Sequence, residues 1–468
     1  MKAITRIHGY KHPPKKVEKD LTHGPLLKQM IAYSVPLVLT SILLHVFKTA
    51  DIAVLAVFVG DKAVAAVGST TSLISLMTML FMGVSVGVNV MVSRYIGEGD
   101  EERVKKTIGM SVLLSILFGV ILIFIGHFCS RFFLELMGCD PNVIDLSEKY
   151  LKVYFYGMPL NVLYTFTSAI MRASGNTVKP LIYLIIGGVL NVGLNLFFVI
   201  VLNKDVEGVA VATVVSHGVS AVLCCITLLR ANGIAKLQFK YVRFFKKELG
   251  AVLSIGLPSG VQSSLFAISN VMLQSAVNSF GEFAMAGSSY AAEFDVYIYS
   301  CMNSIAVALM SFISQNYGAS NYERVKKSIF YALYINVALG LAVGTLVVVL
   351  GGIIVGALTD NPLVIQYFTT RNLITGFTYF LCGIMEVLSY SVRGLGKSVT
   401  SMIISLIGAC LFRIIWIETI VKITNDFSMI WWSYTASWAL TVLMFTPILI
   451  SLIKKTKILL LNKTVDNK

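Results

Sequence analysis

Apolar runs of membrane-spanning length follow one another through almost the whole chain, and no soluble fold accommodates that pattern. About 20 apolar residues are needed to cross a bilayer, and twelve runs meet that length, the first over 29–59, the fourth over 147–171 and the last over 428–453. Inside hydrocarbon every backbone polar group must be satisfied internally, so such runs form helices. The expected fold is therefore an all-α polytopic membrane protein with twelve transmembrane helices. Only 13% of residues are charged, half the usual share of about 25%.

The runs are arranged as a repeat. SRYIGEGDEERVKK after the second run returns as SQNYGASNYERVKK after the eighth, pairing Gly97 with Gly318 and Arg103 with Arg324, 221 residues apart. MRASGNTVKP returns as SVRGLGKSVTS at the same offset, and Pro36 and Pro258 lie 222 apart. Six spans per copy, an even number, give both copies one orientation in the membrane, so the repeats are parallel and such architectures move by rocking. The expected organisation is a basic tail over 1–28, an N-lobe over 29–230, a linker over 231–249, a C-lobe over 250–453 and a second tail over 454–468. The linker's basic and aromatic residues suit a helix on an anionic membrane surface and equally a solvated connector.

The charge of the chain, +14, matters by its distribution. Most lysines and arginines fall in the tails and in the loops on the same face; Lys62, Arg131, Lys149, Lys152, Lys204, Arg371 and Lys422 are assigned to the other. The positive-inside rule then puts both termini in the cytoplasm, in a multi-pass protein of the cell inner (plasma) membrane. This accounting assigns the positive charge to membrane orientation and not to nucleic-acid binding. The N-terminus has no apolar core before a small-residue cleavage site and so is not a cleavable signal.

Within the first span stand His45, Lys48 and Asp51. A charge at the bilayer centre costs about 2.5 to 3.5 kcal/mol even on insertion scales, so such residues face a bundle interior or a watery cavity and mark function. Asp51 is the candidate coupling acid. Lys48, three residues earlier on nearly the same helix face, either neutralises it as an ion pair or modulates its coupling; both readings stand. His45 reads as a core histidine. In the second copy the intramembrane acids are Glu293 and Asp295, of which one at most faces a cavity, Glu386 as a candidate for attracting a cationic substrate, and Glu418 with Arg413 as a possible partner.

GLGKS at 394–398 lacks the first glycine of a phosphate-binding loop, Ser391 standing there, so these glycines read as turn residues. No catalytic motif, cofactor motif or paired-cysteine metal pattern is present in the sequence, which argues against an enzyme. The expectation is therefore no catalytic residue, no metal and no cofactor.

Along most of its length the chain resembles the multidrug and toxic compound extrusion (MATE) transporters. The residues that carry the likeness are Pro36 with Asp51, VGDKAVAAVG at 59–68, YIGEGD at 95–100, MRASGNT at 171–177, LNVGLN at 190–195, QNYGASNYERVKK at 315–327 and VRGLGKS at 392–398. The resemblance implies two six-helix lobes around a central cavity and antiport of organic cations or drug-like metabolites against protons or sodium. It implies that Asp51 takes up the coupling cation, that Pro36 permits helix bending, and that Asn191 faces the acid. Asn195 stands where much of the family has aspartate, and Gln262 where sodium-coupled members have glutamate, which favours protons. The expected partners are small organic cations, protons or sodium and the bilayer, with the protein acting as a monomer. The alternatives are a lipid-linked oligosaccharide flippase of the same superfamily, disfavoured by the shortage of intramembrane arginines, and a membrane-embedded transferase, disfavoured by the absence of aspartate-rich metal motifs.

Overall fold

A computed structural model describes residues 20–465, with side chains to residue 458. Residues 1–19 and 466–468, the ends of the two expected tails, lie outside the described residues. Among the described residues eleven helices are long and apolar enough to cross a membrane. In chain order they are α1 (Leu26–Phe58), α2 (Asp61–Glu98), α3 (Glu101–Leu136), α6 (Val178–Leu196, extended by a π turn to Val201), α7 (Val206–Arg230), α8 (Lys246–Asn278), α9 (Glu282–Gly318), α10 (Tyr322–Leu358), α11 (Pro362–Gly394), the run Ser398–Thr424, and the final helix from Phe427. The fourth expected span is present as two shorter helices, α4 (Ile144–Tyr156) and α5 (Met158–Ala173), which meet at Gly157. Gly157 allows that junction a close neighbour, since a Cβ there would fall 2.2 Å from Val214 of α7.

The repeat is present in the backbone as well as in the letters. Gly60 and Gly281 precede α2 and α9 at φ 106° and 92°, Gly175 and Gly396 take φ 89° and 85°, and Asn203 and Asn425 take 49° and 50°. Asp100 caps α3 and Asn321 caps α10, each side chain accepting from the amide three residues on, of Arg103 and Arg324. That is the ordinary satisfaction of a helix's first free N–H groups by a short polar side chain.

The helices form two compact units, Leu39–Gly260 and Leu21–Val38 with Val261 onward. Each repeat's first helix changes unit part-way along, close to Pro36 in α1 and Pro258 in α8. In the second unit, Leu26, Met30, Tyr33 and Leu37 are buried with Ile305, Phe312, Val387 and Phe445, and the Tyr33 ring meets Phe312 edge-on at 5.5 Å. Arg324 ties the chain ahead of α1 to this unit: its guanidinium donates to the carbonyls of Leu21, His23 and Gly24 and to Gln29 Oε1 at 2.6–3.0 Å. In the first unit, the expected 231–249 linker does not form the surface helix that its composition allowed; it is irregular to residue 245, with one 3-10 turn at Phe239–Tyr241, and α8 begins at Lys246. Its Tyr241 carbonyl packs where a Cβ on Gly109 of α3 would fall, 2.3 Å away.

Within the first unit, α2 and the early part of α8 touch backbone to backbone. A Cβ on Gly83 would stand 2.1 Å from the Gly260 nitrogen, and one on Gly87 2.2 Å from the Val252 carbonyl. Facing pairs of glycines four apart, Gly83 with Gly87 and Gly256 with Gly260, are what lets two membrane helices approach this closely. Gly83→Ala is expected to force the helices apart at a cost of about 1–3 kcal/mol, seen as a lower melting temperature of the purified protein. Gly68→Ala on the same helix, where a Cβ meets nothing within 4 Å, is expected to melt like the wild type.

Candidate functional site

The site is built in the first unit, where α1 lies against α6. Phe47, Asp51 and Leu55 follow each other at four-residue spacing, so they share one face of α1. Phe47 packs onto Gly188 of α6, where an added Cβ would fall 2.0 Å from the ring. Leu55 is fully buried in a cluster with Ala66, Tyr150, Val199 and Val206. Asp51 is thereby held between two anchors and turned toward α6. On the other side of α6, Gly187 abuts Ser216 and Ser220 of α7. The adjacent glycines thus place α6 close to α1 and α7 at once.

The carboxylate is met by an amide. Asn195 Nδ2 donates to Asp51 Oδ1 at 2.5 Å and lies 3.4 Å from Asn191 Oδ1. Asn191 Nδ2 donates to Thr213 Oγ1 of α7 at 3.3 Å, and the Thr213 hydroxyl, which donates to the Val209 carbonyl at 2.9 Å, stands near the carboxylate. Both asparagines are buried. The Asn195 carbonyl oxygen is buried without a partner, an arrangement that costs roughly 1–3 kcal/mol. Tyr150 and Tyr154 stand within electrostatic reach of Asp51, and Tyr154 stands near Asn161. Asn161 in turn lines a small groove with Thr78, Phe81, Met82, Val162 and Thr165.

The structure therefore brings together Asp51, Asn191 and Asn195. Lys48 is exposed, and among the described residues no ion pair joins it to Asp51. Pro36 lies within α1 without ending it, in the part that packs into the second unit. Glu386 is buried in α11 of the second unit, within electrostatic reach of Tyr299, Cys382 and Arg393.

Two sequence assignments in the second unit are corrected. Arg371 is not a surface charge at a span end but is buried inside α11, where its guanidinium binds Asp295 Oδ2 of α9 through Nη2 at 2.6 Å and Nε at 3.2 Å. It also donates to Ser288 of α9 and stacks 4.0 Å over the Trp431 ring. Glu418 pairs with Lys422 one turn on, and not with Arg413. Glu293 is exposed and Asp295 is the paired acid. Thr213, Tyr150 and Tyr154 carried no motif; their only sequence signal is polar chemistry inside apolar runs.

Comparison with known proteins follows this geometry closely. The profile of the family described as MatE matches twice, over residues 36–197 and 258–417, the two copies of the repeat. The chain belongs to the MATE family of membrane transporters. It is 27% identical over 388 residues to the probable multidrug resistance protein YoeA of Bacillus subtilis (strain 168), covering 81% of this chain and 83% of that one. To the multidrug export protein MepA of Staphylococcus saprophyticus it is 24% identical, covering 81% of each. A solved outward-facing multidrug resistance MATE family transporter of the MOP superfamily superposes with a TM-score of 0.88 at 20% identity, over 95% of this chain and all of that one. This MATE protein is thus an all-helical, multi-pass membrane transporter, and its family is not an enzymatic one.

The bond from Asn195 to Asp51 is charge-assisted and enclosed, a class worth about 1.5–3 kcal/mol. Asn195→Leu is expected to lower the melting temperature of the purified transporter markedly. In the Asp51→Asn background the same change is expected to cost less, because the charge it serves is gone. Equal losses in both backgrounds would show that the two residues are not coupled.

Proposed function

We propose that this MATE transporter exports organic cations of drug-like size in exchange for protons, with Asp51 as the residue that carries the proton. The observation that carries the reading is the buried Asp51–Asn195 bond beside an Asn195 carbonyl that has no partner. With Asp51 ionised, the amide nitrogen donates to it. Once Asp51 is protonated it needs an acceptor, and an amide turned over offers its free oxygen. One side chain thereby registers both protonation states, and Asn191 and Thr213 pass the change from α6 to α7.

Sodium would call for converging acceptor oxygens. The donor that meets Asp51 is the Asn195 amide N–H, Asn195 standing where much of the family has an aspartate that would raise the negative charge, and in the second unit Gln262 stands where sodium-coupled members have glutamate. Protons are therefore the better match. Movement follows from α1, which carries Asp51 in one unit and Pro36 in the other; a proline lacks one helical hydrogen bond and lets straight and bent forms lie close in energy. Inward proton flow adds about 2.3 kcal/mol per charge per 100 mV of membrane potential.

The substrate class is supported by the multidrug descriptions of the B. subtilis and S. saprophyticus relatives. The positive-charge distribution supports placement in the cell membrane with both termini cytoplasmic. Glu386, buried in α11, is a candidate for attracting the cation in the second unit.

Transport of fluorescent organic cations in sealed vesicles, with proton and sodium gradients imposed separately, tests the reading. A proton gradient is expected to drive wild-type export and to leave Asp51→Asn inactive at equal abundance in the membrane. Export driven by sodium alone, or wild-type export by Asp51→Asn, would overturn it.

A further inference from the structure

Arg413 is a buried cation that no acid among the described residues neutralises. It is 3% exposed and lies in the middle of the Ser398–Thr424 run. Its Nε donates to Ser437 Oγ at 2.8 Å. Its guanidinium sits 4.0 Å over the Tyr434 ring and 5.9 Å from that of Trp438. Among the described residues no carboxylate approaches within ion-pair distance: Asp295 is committed to Arg371 and Glu418 to Lys422.

The cost of that arrangement is not met by the protein alone. Taking a cation out of water costs several kcal/mol even after relaxation, whereas a desolvated cation–π contact returns about 2 kcal/mol. The two Nη atoms have no protein acceptor among the described residues, yet they are absent from the fully enclosed unpartnered polar atoms. They therefore keep a small accessible edge on a side chain that is otherwise enclosed. Arg371, the neighbouring arginine on the same aromatic ladder, shows the contrast, since its donors are taken up by Asp295 and Ser288.

The helix around Arg413 is built for a site and not for packing alone. Phe412–Trp416 is a short α stretch between two π turns, Leu406–Leu411 and Ile417–Val421, a distortion that is frequent at functional positions. The first π turn has no counterpart in α6, and the second copy carries one extra residue between Gly396 and Asn425. Ahead of it the repeat runs at 221, Gly175 to Gly396, and beyond it at 222, Asn203 to Asn425. At 222 the partner of Arg413 is Asn191. The position that holds an amide of the acid site in one repeat holds a guanidinium in the other.

We propose that Arg413, with Ser437 and the Tyr434–Trp438 rings, forms a binding site in the second unit for the carboxylate of an organic anion or zwitterion. A carboxylate accepts from both Nη groups in the planar, two-pronged manner a guanidinium is shaped for, which a spherical halide does not. The site rests on the reading of the chain as a transporter of small organic molecules, and it widens that reading to substrates bearing a carboxylate.

The test is a static one on the purified full-length protein, so its outcome stands whether or not cation export is driven by protons. Binding of benzoate and of its neutral analogue benzamide is followed by tryptophan fluorescence, Trp438 lying at the site. Wild type is expected to prefer benzoate by about ten-fold or more, the effect of one charge-assisted interaction, and Arg413→Gln to lose that preference while keeping its affinity for benzamide. Where Arg413→Gln does not fold, Arg413→Lys serves, with benzoate weakened several-fold and benzamide unchanged. Equal wild-type affinity for the two compounds, displacement of benzoate by an equal concentration of chloride, or an undiminished preference in the folded variant would overturn the proposal.

Discussion

An ionised carboxylate inside a membrane helix must find donors, and the first unit is arranged around that requirement at Asp51. The cost of a bare charge there exceeds what one packing contact returns. The adjacent glycines of α6 remove the side chains that would hold α1 and α7 away, and on the same helix Asn195 then reaches the acid while Asn191 reaches Thr213 of α7. Phe47 and Leu55 keep α1 from turning.

The second unit repeats the scaffold and not the charges. Caps, left-handed turns and the prolines of α1 and α8 recur at 221 or 222 residues, whereas the same offset from Asp51 falls on Met272 or Leu273. In place of an acid among amides, the second unit has two arginines stacked on aromatic rings, one neutralised by Asp295 and one open. Duplication supplied a common frame, and the polar chemistry of each copy is its own. In both copies the first helix changes unit near its proline.

Most of the fold was legible in the sequence because hydrocarbon permits so little else. Span number, repeat and turns follow from apolar length and from glycine and asparagine in left-handed conformations. The break at Gly157 was not legible, since α4 and α5 together have the length of a single span. Asp51 stood out as a lone acid in an apolar run, and the asparagines of α6 by resemblance to the family. Thr213 did not, because threonine is ordinary in helices and its role depends on a neighbour on another helix. The direction of Lys48 was open for a related reason: three-residue spacing brings two side chains near one face without deciding whether they meet. Arg371 was misplaced because its partner, Asp295, lies 76 residues away, beyond the reach of any local pattern.

The account depends on Asp51 exchanging a proton within the unit that encloses it. Infrared difference spectroscopy of the purified transporter, recorded between neutral and acidic solution, reads that event directly as the carbonyl stretch of a protonated carboxyl group. The account predicts a band in the wild type that is missing in Asp51→Asn and shifted in Asn195→Leu, whose amide no longer serves the acid. Identical spectra for wild type and Asp51→Asn would contradict it.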